Sequence, residues 1–586
     1  MDQVGFFKSK QIPVHTPGET EYERAVATAN LLYRFTRPAC VVQPEHNFQV
    51  CTIVARARVK DIPLIIKNGG HSYAGFSTTN TGILLDLVNM KRVILDIGKK
   101  TVGMQGGALW GHAYKELVND HHDRYIINGG RCPTVGVSGF TLGGGLGPFT
   151  RSFGMGSDTL QEATIVTANA ELVTVSRDNG DDLEKNKLFW ALCGAGGGNF
   201  GVLVELKMKL QELHGPEVVA GRFTWSPKEP VESMEEFMET MNTFYTAPWE
   251  NEMTIDSSWL CDLSQQRKSE PAVRFLVYYN GKQETFDNSI DKYLGSAGKG
   301  TLAKQLKRRS LEEKSTRFLH ETLVAQWSEE TTRAFPSNPS FQIYTSFVFT
   351  NEKEKIEKIT AILRQEMKEF RKKFTGEQGL LQVTWIHSGG KANERKSEDS
   401  AYPWRTCCYH TYIMIQWQEK FLEKEMRAVL ERLNASLREY SISGLGAFIN
   451  FADAALKDTA HERVYYGENH QDLRRVKAMW DKTNFFNWSQ SVKLPPKILP
   501  AEKPTRMMSD NSARMVSSSK MEASWSSMMA STIESPINAT TIAIDEEFVD
   551  VGTLTDQIAK DEWDTFKRPS TNEFVGGIQG LTDLGF

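Results

Sequence analysis

Short apolar runs interrupted by glycine dominate the chain from about residue 36 to residue 210. Runs such as GILLDLVNM, EATIVTANAELVTVS and FGVLVELKMKL are rich in β-branched residues, and several alternate apolar with polar positions. Alternation with a period of two is typical of half-buried strands. Helical patterns such as LWGHAYKELVNDH lie between the runs. We therefore predict an α+β domain over 36–212, preceded at 1–35 by an approach segment that ends in a short helix, EYERAVATANLLYRF.

A different pattern follows from about residue 213 to 445. Glycine becomes rare, and long charged helical patterns such as EKEKIEKITAILRQEMKEFRKKF alternate with strand-like runs such as FQIYTSFVFT and CYHTYIMIQW. This pattern predicts a second α+β domain, a sheet covered on one side by helices. Residues 446–495 form a short third block. The Ser- and Met-rich tail, 496–586, has no clear period and is predicted to be largely disordered.

Composition and charge narrow the functional classes. The 586 residues carry a formal net charge of only −4, which gives no indication of a nucleic-acid partner. The seven cysteines include no CxxC pair, so neither a disulfide scaffold nor a structural metal site is expected. The chain shows no secretory pattern and no run of eighteen apolar residues. These features predict a cytoplasmic protein with no membrane span and no metal.

Three glycine clusters lie within the first domain, at 67–75, 128–147 and 193–202. Glycine density of this kind indicates backbone that lies close to a ligand or adopts positive φ, although tight turns alone are an alternative. The segment from Gly196 to Gly201 matches GxGxxG, but a helical pattern precedes it and a strand pattern follows. This order is the reverse of a Rossmann site. Glycine-rich loops can still bind a pyrophosphate through backbone amides, so a dinucleotide is the expected ligand class.

His71 and Cys132 lie in the first two clusters, and neither residue is informative alone. Each is more often structural than reactive, and a lone cysteine is commonly a small buried apolar residue. A Cys/His nucleophilic pair is conceivable, but no acyl-transfer signature surrounds Cys132. A metal is disfavoured because neither residue has a partner at ligand spacing.

Taken together, four motifs make residues 36–495 resemble the berberine bridge enzyme-like flavoproteins of the vanillyl-alcohol oxidase and para-cresol methylhydroxylase (PCMH) superfamily. The motifs are GGHSY, CPTVGV about sixty residues later, WALCGAGGGNFGV, and YYG with VKAMWDKTNFFNWSQSV. The resemblance implies a PCMH-type, two-lobed FAD-binding domain at 36–212 and a substrate-binding domain at 213–445. It also implies that the segment 446–495 returns to the FAD-binding domain.

The resemblance further implies a bicovalently bound FAD. By analogy with the family, His71 attaches to the flavin 8α-methyl carbon and Cys132 to flavin C6. Backbone amides of Asn68, Gly69, Gly70 and Ser72 would meet the pyrophosphate. The isoalloxazine would be lined by Gly129, Gly130, Val135, Gly136, Val137 and Gly139, and the pocket completed by Asn199, Gly201, Val202 and Tyr465. Valine at position 135 is associated in the family with oxidase behaviour.

Two positions depart from the family pattern. The tyrosine that serves many members as general base corresponds to Phe451, and a frequent histidine near the flavin corresponds to Phe140. A replacement base could lie on the predicted strand CYHTYIMIQW, where His410 and Tyr412 share a face. A histidine has a pKa suited to proton transfer near neutral pH. His387 is a third candidate, and all three could instead simply shape the pocket.

These features predict an FAD-dependent oxidase that acts on a hydrophobic small molecule in secondary metabolism. Its substrate would give a hydride to flavin N5, and O2 would be the electron acceptor. The expected reaction is a dehydrogenation or an oxidative cyclisation. Two alternatives remain: a carbohydrate oxidase of the same family, and a redox-silent cyclase or pericyclase that keeps FAD only for structure.

Overall fold

The computed structural model describes residues 3–227, 233–265, 272–298 and 300–496. The predicted disordered tail, apart from Pro496, lies outside the described residues.

Strands and helices alternate through the described chain. The strands are β1 (Val14–His15), β2 (Cys40–Val42), β3 (Leu64–Lys67), β4 (Ile83–Asp86), β5 (Val93–Asp96), β6 (Thr101–Gln105), β7 (Tyr125–Ile126), β8 (Leu160–Thr167), β9 (Leu172–Ser176), β10 (Gly201–Lys209), β11 (Gln211–Glu212), β12 (Glu217–Trp225), β13 (Met253–Asp262), β14 (Ala272–Tyr279), β15 (Ser310–Lys314), β16 (Phe341–Phe349), β17 (Gly379–His387) and β18 (Tyr409–Trp417). The helices are α1 (Gln3–Ser9), α2 (Thr20–Val26), α3 (Asn47–Val59), α4 (Trp110–Asn119), α5 (Val137–Leu142), α6 (Thr150–Phe153), α7 (Leu183–Leu192), α8 (Met234–Thr246), α9 (Gln283–Leu294), α10 (Thr301–Arg309), α11 (Ser315–Arg317), α12 (Leu323–Gln326), α13 (Ser328–Arg333), α14 (Lys353–Lys373), α15 (Glu423–Leu437), α16 (Ala460–Tyr466) and α17 (His470–Trp480).

The glycine-rich part of the chain builds two larger sheets and the two-stranded pair of β7 with β11. The first has the order β1-β2-β4-β3, in which β4 pairs in parallel with both β2 and β3. All four residues of β4 are buried, as expected for an inner parallel strand. The second sheet, β5-β6-β10-β8-β9, is antiparallel throughout. β10 alternates buried and exposed residues along its second half, which is the period-two pattern seen in its sequence.

A seven-stranded antiparallel sheet forms the middle of the chain, in the order β15-β12-β14-β13-β17-β18-β16. Helices α8, α9, α14 and α15 cover one face and share an apolar core with it. α8 begins with a capping box, since the Ser233 hydroxyl accepts from the Glu236 N–H at 3.2 Å and the Glu236 carboxylate accepts from the Ser233 N–H at 3.0 Å. The α+β architecture and the one-sided helical cover agree with the sequence prediction.

The last described segment returns to the glycine-rich part. Lys477 in α17 forms an ion pair with Asp481 at 2.8 Å, and both side chains are fully buried. The Lys477 ammonium also donates to the carbonyl oxygens of Asn199 and Phe486, at 2.6 and 2.7 Å. Three acceptors compensate the desolvation of the buried charge. This contact fixes the segment beside the 193–202 glycine cluster.

The helix predicted near the N-terminus is shorter than expected. The helical pattern extends to Phe35, but α2 ends at Val26, and Ala27 has extended backbone with ψ of 129°. The following residues are held by tertiary contacts. The Asn30 side chain donates to the Gln342 carbonyl at 2.9 Å and accepts from the Gln342 N–H at 3.1 Å. These two hydrogen bonds to β16 hold the segment in a non-helical form.

A buried ion pair joins the second glycine cluster to the seven-stranded sheet. Arg131, directly before Cys132, binds Asp256 of β13 through Nε at 2.5 Å and Nη2 at 3.0 Å. Nη1 donates to the Leu146 carbonyl, and Asp256 also accepts from the backbone N–H of His387 at 3.0 Å. Arg131 is 4% exposed and Asp256 is 1% exposed. The bidentate geometry fixes both position and orientation.

We expect Asp256→Asn to destabilise the protein by about 3–5 kcal/mol, because it leaves the Arg131 charge buried without a counter-charge. The measurement is the urea midpoint of the flavin-loaded protein. Arg475→Gln is the control, since Arg475 is 66% exposed in its pair with Asp472 and should leave the midpoint unchanged. Equal midpoints for Asp256→Asn and the control would contradict this role.

Candidate active site

One elongated cavity runs between the glycine clusters and the seven-stranded sheet. It contains about 1710 Å³ of space free of protein atoms, its open mouth included. All three glycine clusters contribute to its wall, and so does the returning C-terminal segment. The predicted site residues in this wall are Asn68, Gly69, Gly70, His71, Ser72, Gly130, Cys132, Val135, Gly136, Gly139, Gly201 and Tyr412. Phe140 and Phe451 also line the cavity.

The first two glycine clusters lie in direct backbone contact. A Cβ on Gly69 would lie 2.6 Å from the backbone nitrogen of Gly136, and a Cβ on Gly136 would lie 2.0 Å from Asn68 Oδ1. The Asn68 side chain bridges the two segments, because Oδ1 accepts from the Ser138 N–H at 3.1 Å and Nδ2 donates to the Ala108 carbonyl at 3.3 Å. Neither glycine can carry a side chain without moving the other loop.

The loop after β3 leaves backbone donors available. Gly70 has φ of +71°, a conformation that favours glycine. Within the described residues, no group accepts a hydrogen bond from the backbone N–H of Gly69, Gly70, His71 or Ser72. Buried or half-buried amides without partners are uncommon in folded proteins. A row of such donors beside a cavity suits an anionic ligand such as a pyrophosphate.

His71 and Cys132 both line this cavity. Burial lowers the pKa of His71 to about 4, although a hydrogen bond to the Thr134 backbone opposes the shift. The imidazole is therefore neutral near pH 7 and keeps a nitrogen lone pair. The Cys132 thiol lies 3.4 Å from the hydroxyl of Thr134 and 3.1 Å from that of Thr331 in α13. Burial raises the pKa of Cys132, and these hydroxyls partly offset that effect.

Glycines in the cavity wall leave the space that a bound FAD would need. A Cβ on Gly139 would meet no protein atom within 4 Å, although Gly139 lies in α5, where glycine is unfavourable. Gly196 and Gly198 have φ of +85° and +70°, and the Trp488 indole N–H donates to the Gly198 carbonyl at 3.1 Å. Open space beside glycine, together with free amides, suits a large planar ligand with a pyrophosphate.

An aromatic wall borders the cavity, and its rings come from the loop after β3, the seven-stranded sheet and the returning C-terminal segment. Tyr73 and Tyr344 stack with ring centroids 3.9 Å apart, and Tyr412 lies 4.7 Å from Phe451. Phe451 also lies 5.4 Å from Phe448. Burial, and next the charge of nearby Glu330, raises the pKa of Tyr412 to about 12. Tyr412 therefore keeps its proton near neutral pH and can donate a hydrogen bond there.

The two histidine candidates lie outside the cavity. His410 is 1% exposed and lies behind Phe448, with Nδ1 at 2.7 Å from the Ser388 hydroxyl and Nε2 at 2.5 Å from the Tyr402 hydroxyl. Burial lowers its pKa to about 3. His387 is also 1% exposed, and its Nδ1 accepts from the Ile255 N–H at 3.3 Å. Neither imidazole can reach a molecule in the cavity.

Several predicted cofactor residues also lie behind the wall. Asn199 holds the fold, since its Nδ2 donates to Ala195 and its Oδ1 accepts from the Val492 N–H. The Tyr465 hydroxyl donates to Gln490 and accepts from the Asp453 N–H, both at 3.0 Å. The predicted residues that do not line the cavity are Gly129, Val137, Asn199, Val202 and Tyr465. Their motifs support the pocket from outside.

Family models match both ends of this architecture. A model described as "FAD binding domain" matches residues 38–176, and one described as "Berberine and berberine like" matches 447–493. An uncharacterized FAD-linked oxidoreductase, YgaK of Bacillus subtilis (strain 168), is 25% identical over 82% of this chain and 96% of its own length. Tetrahydroberberine oxidase of Argemone mexicana is 24% identical over 84% of this chain and 90% of its own length.

The fold agrees with solved structures. Berberine bridge enzyme from Eschscholzia californica aligns with a TM-score of 0.70 at 19% identity, over 84% of this chain and 98% of that one. Chitooligosaccharide oxidase aligns with a TM-score of 0.68 at 20% identity, over 84% and 99%. Over most of its length the chain is similar to the berberine bridge enzyme-like FAD-linked oxidoreductases, and it carries both of the domains that these family models describe. It is therefore an enzyme, and FAD is its cofactor.

In this berberine bridge enzyme-like chain, sequence reasoning missed the contribution of α13. Thr331 contacts the Cys132 thiol, and Glu330 lies beside the aromatic wall. The segment SEETTR resembles an ordinary solvated helix, so its letters carry no signal for a site. Trp488 lies within one of the matching motifs, and its indole contacts Gly198 in the cavity wall.

Within the described residues, no group of three His, Cys, Asp or Glu side chains could hold a metal. The same residues contain no helix long and apolar enough to cross a membrane.

We expect Gly139→Leu to lower the ratio of flavin to protein at least severalfold while the fold remains stable. The leucine side chain has open space at this position and would occupy the room meant for the cofactor. Absorbance of the purified protein near 450 nm and near 280 nm gives the ratio. Gly139→Ala is the matched control, because a methyl group alone improves helix propensity and leaves most of the space free. Full flavin content in Gly139→Leu would contradict the placement of FAD here.

Proposed function

We propose that this enzyme is an oxidase that removes a hydride from a hydrophobic small molecule, as in the dehydrogenation or oxidative cyclisation of a secondary metabolite. The observation that carries the proposal is this aromatic wall, with Phe451 at the position of the usual base. Phe140 contributes further apolar surface to the cavity. Such a surface suits an apolar or aromatic substrate better than a sugar.

The chain's own residues supply binding and orientation. Bound FAD supplies the two-electron acceptor, with N5 as the hydride-accepting atom and O2 as the proposed final oxidant. Amides of the loop after β3 bind the pyrophosphate, and neutral His71 and Cys132 are the two proposed covalent anchors. Val135 lines the cavity beside them. Tyr412, protonated near neutral pH, donates a hydrogen bond to the substrate.

A reducing cytoplasm is the proposed location. All seven cysteines lie in the described residues and none forms a disulfide, including the adjacent pair Cys407 and Cys408. Free cysteines are typical of reducing compartments.

The covalent anchors predict a specific mass pattern. After denaturation, the wild-type protein should retain the mass of FAD, as should His71→Ala and Cys132→Ala, whereas the double variant should lose it. One remaining bond is enough to hold the cofactor in each single variant. Intact-mass spectrometry of the denatured proteins is the measurement, and Cys193→Ala is the control because this buried thiol does not line the cavity. A wild type without flavin mass would refute covalent attachment.

Anaerobic mixing tests the reaction type. We expect (S)-reticuline, the compound bound in the structure of one neighbour, to bleach the 450-nm flavin band faster than glucose or chitooligosaccharides do. Admission of O2 should then restore the band with formation of hydrogen peroxide. Faster bleaching by sugars would instead identify a carbohydrate oxidase. Conversion of a substrate without bleaching would identify a redox-neutral cyclase.

A further inference from the structure

A side pocket opens from the flavin cavity beside Cys132. We use this name for the space lined by Tyr73, Glu330, Arg333, Tyr344 and Tyr412, which shares His71, Cys132 and Tyr412 with the larger cavity. Its walls come from α13, the seven-stranded sheet, the loop after β3 and the segment after α2. The proposed hydride transfer gives no role to the charged groups in this pocket, Glu330 and Arg333.

Only one of the two carboxylate oxygens of Glu330 has hydrogen-bond partners within the described residues. Its Oε1 accepts from Arg274 Nη2 at 2.5 Å and lies 3.5 Å from the Gln382 amide nitrogen. Its Oε2 is buried and has no hydrogen-bond partner among the described residues. A buried acceptor without a donor costs free energy in the absence of a ligand. A ligand that brings a donor to this oxygen would recover that cost.

The surrounding charges select the type of donor. Three guanidinium groups, of Arg222, Arg274 and Arg333, surround the two carboxylates of Glu329 and Glu330. Three positive charges against two negative charges leave one net positive charge. This excess disfavours an ammonium group, so a neutral hydroxyl is the donor that the pocket accepts best.

Three tyrosine rings also line the side pocket. The parallel, stacked rings of Tyr73 and Tyr344 form one side, and the Tyr412 ring lies 6.2 Å from Tyr73 and 6.4 Å from Tyr344. Burial is the main cause that raises the pKa of each of these tyrosines. All three therefore stay protonated near neutral pH, and none can take a proton from a substrate. Glu330 is the ionisable acceptor that they surround.

We propose that Glu330 binds a hydroxyl group of an aromatic substrate in the side pocket and accepts its proton during oxidation. The substrate O–H bond breaks, and the proton moves to Oε2. The electron pair left on oxygen forms a carbon–oxygen double bond, while the carbon-bound hydrogen leaves with its own pair as the hydride that FAD accepts. This role rests on the proposed oxidase function and names its substrate class, an aromatic compound with an alcohol group whose carbon carries a hydrogen. It also supplies the proton acceptor that Phe451 cannot provide.

Binding of 4-nitrophenol to the flavin-loaded enzyme tests the acceptor without any redox step. This phenol ionises near neutral pH, so calorimetric titration across pH 5.5–8.5 compares its neutral and anionic forms. In the wild type, the neutral phenol donates to Glu330 and the anion has no proton to donate, so binding should weaken as pH rises. In Glu330→Gln, we expect at least about tenfold weaker binding at low pH and a reversed pH trend, because a charge-assisted hydrogen bond is lost and the net positive charge grows.

Glu329→Gln is the matched control. Glu329 also pairs with Arg274, but it is 45% exposed and lies outside both cavities. This variant loses a comparable ion pair and should keep the wild-type pH trend. Glu330→Asp retains the charge and should keep the trend with weaker affinity, which covers the case in which Glu330→Gln fails to fold. Parallel profiles for wild type and Glu330→Gln, or loss of the trend in Glu330→Asp, would overturn the proposal.

The same variants separate this role from the proposed function. With a substrate that bleaches the flavin, Glu330→Gln should lower kcat at least tenfold, whereas Glu329→Gln should not. Bleaching at the wild-type rate in Glu330→Gln would overturn the role of Glu330 and leave the oxidase function intact. If the phenol binds as expected but no aromatic compound of this class bleaches the flavin, oxidation itself is refuted.

Discussion

The buried pair of Arg131 and Asp256 determines how the two halves of the active site face each other. Arg131 directly precedes Cys132 in a glycine-rich loop, while Asp256 lies in the middle of the seven-stranded sheet. Burying two charges is costly, so such a pair is weak evidence for stability alone. Its value here is geometric, because a bidentate contact between rigid elements sets the distance from the cofactor loop to the aromatic wall.

The glycine clusters complement this constraint. Gly69 and Gly136 bring two backbone segments so close that Asn68 can bridge them. The backbone amides around these glycines differ in their partners. The Ser138 N–H helps to hold the two loops together, whereas the amides after β3 have no acceptor within the described residues. The proposed pyrophosphate site would rely on these backbone amides and would not need the strand-then-helix order of a Rossmann fold.

Much of the site was predictable from local sequence, and the failures have physical reasons. Alternation on β18 correctly placed His410 and Tyr412 on one face, but it could not show that Phe448 covers His410 and leaves Tyr412 open. β13 escaped prediction because Asp256 and its polar neighbours are buried through partners distant in sequence. The short helix α13 looks solvated by composition, although its contacts place Glu330 at the side pocket.

The presence of phenylalanine at position 451, where the family usually has tyrosine, is consistent with the charges around the neighbouring Tyr412. A tyrosine can serve as a base only where a neighbouring positive charge lowers its pKa, but burial and the charge of Glu330 both act to raise the pKa of Tyr412. The same carboxylate that keeps the tyrosine protonated has an oxygen with no partner. In the proposed reaction, donor and acceptor are therefore divided between a phenol and a carboxylate, and position 451 needs no ionisable group.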